Sequence, residues 1–109
     1  MTKVTIAGEE RETHPAQVVF HQSASANVWR GELLNPDRAI DMQDHGRPIR
    51  STPRYTIMEV TAENTGRTRY SVQMQGNAAA GRRYRTFDSL DAAQAHGIKW
   101  AARRFRVVV

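Results

Sequence analysis

Residues 88–104, DSLDAAQAHGIKWAARR, limit the fold more than any other stretch. Leu90, Ala93, Gly97, Trp100 and Ala101 recur there at helical spacing and make one face of a helix. Apart from Leu90 and Trp100 that face is Ala and Gly, so the helix axis can approach a sheet closely. Gly97 costs about 1 kcal/mol against Ala in a helix interior, a loss that close packing must offset. Asp88 or Ser89 is placed to cap the first turn, its side-chain oxygen accepting from a free backbone N–H. Arg103 and Arg104 fall in the last turn, where cations suit the helix dipole.

The preceding residues read as the sheet. Residues 54–62, RYTIMEVTA, predict a strand, 64–66 a turn, and 67–75, RTRYSVQMQ, its antiparallel partner. The partner alternates: Tyr70, Val72 and Met74 on one side, Arg69, Ser71, Gln73 and Gln75 on the other. After a Gly-flanked loop, 76–81, the run RRYRTF (82–87) predicts a third strand, with Tyr84 facing opposite to Arg83 and Arg85. Residues 17–21 and 27–34 read as two more strands around the polar turn QSASA, and 3–7 as a further short one. Pro36, Gly46, Pro48 and Pro53 make residues 35–53 mostly loop, with a turn or two of helix from Asn35-Pro36 through Met42. RVVV at 106–109 either adds a last short strand or frays. The expected fold class is α+β: an antiparallel sheet, three C-terminal strands plus N-terminal ones, packed on one C-terminal helix. A chain of 109 residues suits one domain, 1–109.

Charge divides the chain. Residues 54–109 carry ten Lys/Arg against four acids, a formal +6, and residues 1–53 carry six against seven, −1. A basic half is an electrostatic reason to consider a polyanion. With the helix on the Tyr70/Val72/Met74/Tyr84 side, the reverse of the sheet must show Arg69, Ser71, Gln73, Gln75, Arg83 and Arg85. Arginine can bond guanine in two places and glutamine can do so for adenine. Arg54, Arg67, Arg82 and Lys99 lie nearer the rim, where phosphates sit. The candidate nucleic-acid-binding residues are therefore Arg67, Arg69, Gln73, Gln75, Arg82, Arg83, Arg85 and Lys99. Like charges on neighbouring strands repel unless an acid or anion intervenes, and Glu59 on the first strand is the acid that could do so.

The run Thr86-Phe87-Asp88-Ser89, then Asp91-Ala92-Ala93 and Ala101, together with the order of elements over 54–105, resembles the plant ethylene-response-factor type of DNA-binding domain. Related versions occur in phage and mobile-element endonucleases and integrases. The resemblance implies three antiparallel strands on one helix, with the strands in the major groove and Arg69, Arg83 and Arg85 touching bases and phosphates. This chain departs from the family at Arg83-Tyr84-Arg85, where the family carries Trp-Leu-Gly, and Trp29 and Trp100 lie outside the strands that carry the family's tryptophans.

Little in the chain suggests catalysis. There is no cysteine. His14, His21, His45 and His96 share no metal-ligand spacing, and Asp41, Asp44 and His45 in their Pro/Gly-flanked loop read as solvated surface. Glu9, Glu10 and Glu12 read as an ordinary acidic terminus, and Trp29 as core. No phosphate loop, nucleophile elbow or paired catalytic carboxylates appear, so no catalytic residue, metal or cofactor is expected. No apolar run approaches the roughly 20 residues of a membrane span, and the N-terminus lacks a signal-peptide core, so a cytoplasmic protein is expected. The first functional expectation is a non-enzymatic nucleic-acid-binding protein, duplex DNA before RNA. The second is a protein-binding module or inhibitor of phage or plasmid type, docking its basic face on an acidic protein or a nucleoprotein complex. A homodimer through an edge strand or RVVV is compatible with either.

Overall fold

The helix forms where its spacing predicts it, α1 over Leu90–Arg104, in a computed structural model of the chain that describes residues 2–75 and 83–109. Ser89 is the cap, its Oγ accepting from the Ala92 N–H at 3.1 Å. Ala93, Gly97 and Ala101 are buried, as the small-residue stripe requires, and Leu90 and Trp100 pack partly buried at its margins.

Ten strands accompany the helix among the described residues. They are β1 (Thr2–Ile6), β2 (Glu9–Pro15), β3 (Val18–Gln22), β4 (Val28–Leu33), β5 (Ala39–Asp41), β6 (Arg47–Pro48), β7 (Arg54–Thr61), β8 (Thr68–Gln75), β9 (Arg83–Phe87) and β10 (Phe105–Val108). They form two five-stranded antiparallel sheets, β1-β2-β10-β5-β6 and β3-β4-β7-β8-β9. The fold is α+β. Its core joins both sheets, with Val18, Leu33, Tyr55 and Met74 from one meeting Ala39, Phe105 and Val107 from the other around Ala101.

The near-neutral and basic halves of the chain are interleaved. β4 pairs with β7, and β10 lies between β2 and β5. Removing residues 1–53 would strip both sheets, so the basic half is not a separable unit. RVVV, expected either to add a last short strand or to fray, takes the first course and falls almost wholly in β10, a central strand. Val107 and Phe105 are buried there because α1 delivers the chain straight into the gap between β2 and β5. Both edges of that segment are paired within the chain, with β2 on one side and β5 on the other.

Three strands, β2, β5 and β6, escape a sequence reading. β1 and β2 form a hairpin whose turn is Ala7-Gly8, both at positive φ (51° and 82°), as a tight primed turn demands. β2 carries Glu9, Glu10, Arg11 and Glu12 on both faces, all exposed, and so shows no apolar alternation. β5 is short but wholly buried, inside the segment read as loop. Asn35-Pro36 does start a helical turn, a 3₁₀ turn over Pro36–Arg38, before the chain extends into β5.

Asp41, read as solvated, is fully buried, and Arg104 from the end of α1 is 4 % exposed. Their ion pair is two-pronged: Arg104 Nη2 donates to Oδ2 at 3.0 Å and Nε to Oδ1 at 3.2 Å. Asp41 Oδ1 also accepts from the Gln43 N–H at 2.9 Å, capping the 3₁₀ turn Met42–Asp44. Tyr55 lies beside this pair. Burial raises its phenol well above the ordinary range, with Arg104 opposing and Asp41 adding to the rise.

Phe20 fixes how closely the helix seats. Its ring occupies the space that a Cβ at Gly97 would need, 2.8 Å away, and also the space of a Cβ at Gly31, 2.6 Å away. The ring is wedged between a helix glycine and a strand glycine and cannot yield to one without meeting the other. Gly97→Ala would gain about 1 kcal/mol of helix propensity and lose about 1–3 kcal/mol to overpacking. A net loss is expected, read as a lower midpoint in urea unfolding.

Candidate nucleic-acid interface

The register of β9 decides where the cations go. Arg85 stands opposite Val72 and Arg83 opposite Met74, in the row of the helix-covered residues. Tyr84 stands opposite Gln73, in the reverse row. The expected arrangement was the other phase, anchored on Tyr84. The observed phase is anchored on Phe87, whose ring lies 5.0 Å from that of His96 on α1. A shift of one residue turns every side chain of a strand over. RRYRTF offers one aromatic for each phase, so its sequence does not choose. On an edge strand, Arg85 can lie along the helix flank with its head in water, and it is exposed.

The reverse face is therefore less basic than expected. Of the expected arginines, Arg69 lies there, opposite Val60, with Gln73 and Gln75 opposite Thr56 and Arg54. Arg67 and Arg69 converge on Asp88, at 2.8 Å and 3.5 Å. Asp88, read as a helix cap, is the acid that separates the like charges. Glu59 stands opposite Tyr70, on the helix side; burial first and the neighbouring Glu59 carboxylate second raise the pKa of that phenol. Arg82 lies outside the described residues. The arginines carried over from the family resemblance, Arg69, Arg83 and Arg85, are split between the two rows.

A different cluster forms on the helix flank. His96, Lys99 and Arg103 follow one another at i, i+3 and i+7 and share a side of α1, and Arg85 approaches from β9. Arg85, Lys99 and Arg103 are exposed and make no ion pair or hydrogen bond among the described residues. Inside the cluster is an aromatic stack. His96 sits between Phe87 and Trp100, with ring centroids 5.0 Å and 4.3 Å away. Beside it a cleft of about 240 Å³ opens between Trp100, Met74, Gln43, Arg103 and Arg104. Of the expected residues, the flank takes in Arg85 and Lys99. It adds Arg103, His96 and Trp100, which helical spacing alone could have grouped with Lys99.

The flank lowers the pKa of His96 from its ordinary 6.5, through burial first and then the charges of Arg85, Arg103 and Lys99. His96 is therefore neutral at pH 7, and its Nε2 is buried without a hydrogen-bond partner. Because the folded state holds this proton less tightly than the unfolded state, the contribution of His96 to stability is complete above 6.5 and declines as pH falls below it.

Among the described residues no three His, Asp or Glu side chains could together hold a metal ion, and no helix is long and apolar enough to cross a membrane. Comparison with protein-family models, with curated proteins and with solved structures finds no match to this chain.

Proposed function

We propose that the chain binds nucleic acid, duplex DNA foremost, without catalysing a reaction, and that contact is made by the α1–β9 flank and not by the reverse of the sheet. One observation carries this reading: Arg85, Lys99 and Arg103 gather around the Phe87–His96–Trp100 stack with no ion pair to a carboxylate among the described residues. Arginines that share a carboxylate, as Arg67 and Arg69 share Asp88, release fewer counterions, whereas unpaired cations release one for each phosphate they meet. Trp100 and the adjoining cleft offer an aromatic surface on which an exposed base could stack.

The direct test is fluorescence anisotropy with a labelled duplex across a range of salt. Binding should weaken linearly in log–log terms; a flat titration, or one indifferent to salt, would overturn the proposal. pH provides a second check. A phosphate at the flank favours protonated His96, so affinity should rise as pH is lowered from about 7.5 to about 5.5, and His96→Gln should reduce that rise. An unchanged pH response in His96→Gln would place the phosphates elsewhere.

A protein partner is the second reading. The reverse face of the β3–β9 sheet is uncovered, with Met58 42 % and Val60 52 % exposed. A partner retained in a pull-down after nuclease treatment would favour it.

A further inference from the structure

The reverse face holds a cleft that the nucleic-acid reading does not use. It lies over the outer end of the β7–β8 hairpin and has a volume of about 420 Å³, in the range of small-molecule sites. Val60 and Ala62 form an apolar wall, and Ser71 and Thr86, cross-strand neighbours in register, lie across the strands from them. Arg67 and Arg69 complete the lining.

The charges here are arranged, not scattered. Asp88 bonds Arg67 Nη2 at 2.8 Å and approaches Arg69 Nε at 3.5 Å, yet does not itself line the cleft. One carboxylate thus links two guanidiniums, leaving a surplus positive charge. Each guanidinium has five N–H donors, and these contacts engage only one on each. Neither Ser71 nor Thr86 makes a side-chain hydrogen bond among the described residues, so two hydroxyls are also available. Two arginines linked by one acid, free hydroxyls and an apolar wall together match one kind of ligand.

We propose that this cleft binds a small anion, a carboxylate or phosphate ester, that carries an apolar group. Arg67 and Arg69 hold the anion, Ser71 and Thr86 donate to it, and Val60 and Ala62 cover the apolar group. The site lies on the opposite side of the sheet from the α1–β9 flank, so either can fail alone.

The test is amide NMR of the full chain titrated separately with phenyl phosphate, benzoate and inorganic phosphate. Saturable shifts centred on Ser71, Thr86 and Val60 are expected with at least one aromatic anion, and which one responds identifies the anionic group. Arg69→Gln should weaken that binding roughly tenfold or more, since a hydrogen bond to a charged group is lost. Thr86→Val, which keeps both arginines, gives a second reading should Arg69→Gln fold poorly, and should weaken binding by a smaller factor. No saturable shift with either aromatic anion overturns the proposal. So do shifts confined to Lys99 and Arg103, affinity unchanged in both variants, or inorganic phosphate binding as tightly as phenyl phosphate.

Discussion

Asp41→Ala is expected to destabilise the folded chain by about 3–5 kcal/mol, because it leaves the Arg104 guanidinium buried without its carboxylate. Domains have only about 5–15 kcal/mol in total, so this one change consumes a large part of the margin. It also removes the acceptor of the Gln43 N–H. Arg104 and Asp41 tie the end of α1 to β5, and β5 pairs with β10, so the loss reaches the packing between helix and sheet. Urea unfolding followed by circular dichroism measures it. The pair need not be stabilising relative to apolar residues, since buried charges are desolvated at a cost that their attraction only partly repays. The double variant Asp41→Ala/Arg104→Met should therefore lie nearer the parent than Asp41→Ala alone. A single variant with an unchanged midpoint would show that Arg104 finds another partner or reaches water.

The triple variant Arg85→Gln/Lys99→Gln/Arg103→Gln carries the largest functional effect. If each cation meets one phosphate, the slope of log affinity against log salt becomes shallower by about 3, and affinity at low salt falls at least about tenfold. Stability should change little, because all three side chains are exposed and unpaired among the described residues. The matched control is Arg67→Gln/Arg69→Gln, which removes two cations that already share Asp88. It should shift the slope by much less. An equal effect of both variants would return the interface to the sheet, and no effect of the triple variant would remove nucleic acid from the flank.

Legibility differed from element to element for identifiable reasons. β7, β8 and α1 could be read because each buries one face, and burial imposes a period on the residues. Gly97 pointed correctly to a close helix–sheet approach, although Phe20, the residue that fills it, is distant in sequence. β2 was illegible because its first four residues are charged and exposed on both faces, so no apolar alternation marks the strand before Thr13 is buried. β5 was missed because three buried residues between proline and glycine look like part of a loop. The phase of β9 was ambiguous because an edge strand tolerates arginine in either row.

What the residues determined alone is local: a helix cap at Asp88 or Ser89, the stripe Ala93–Gly97–Ala101, the turn at Asn35-Pro36, the alternation of β8, and the surplus of positive charge after residue 53. Each depends on a neighbour within a few positions, where backbone geometry fixes the relation. Only the tertiary structure decided which cations stand alone. Asp88 takes Arg67 and Arg69 from 21 and 19 residues away, and Asp41 takes Arg104 from 63 residues away. A charge pair depends on distance in space, and sequence spacing carries no information about distance once strands pair across a sheet.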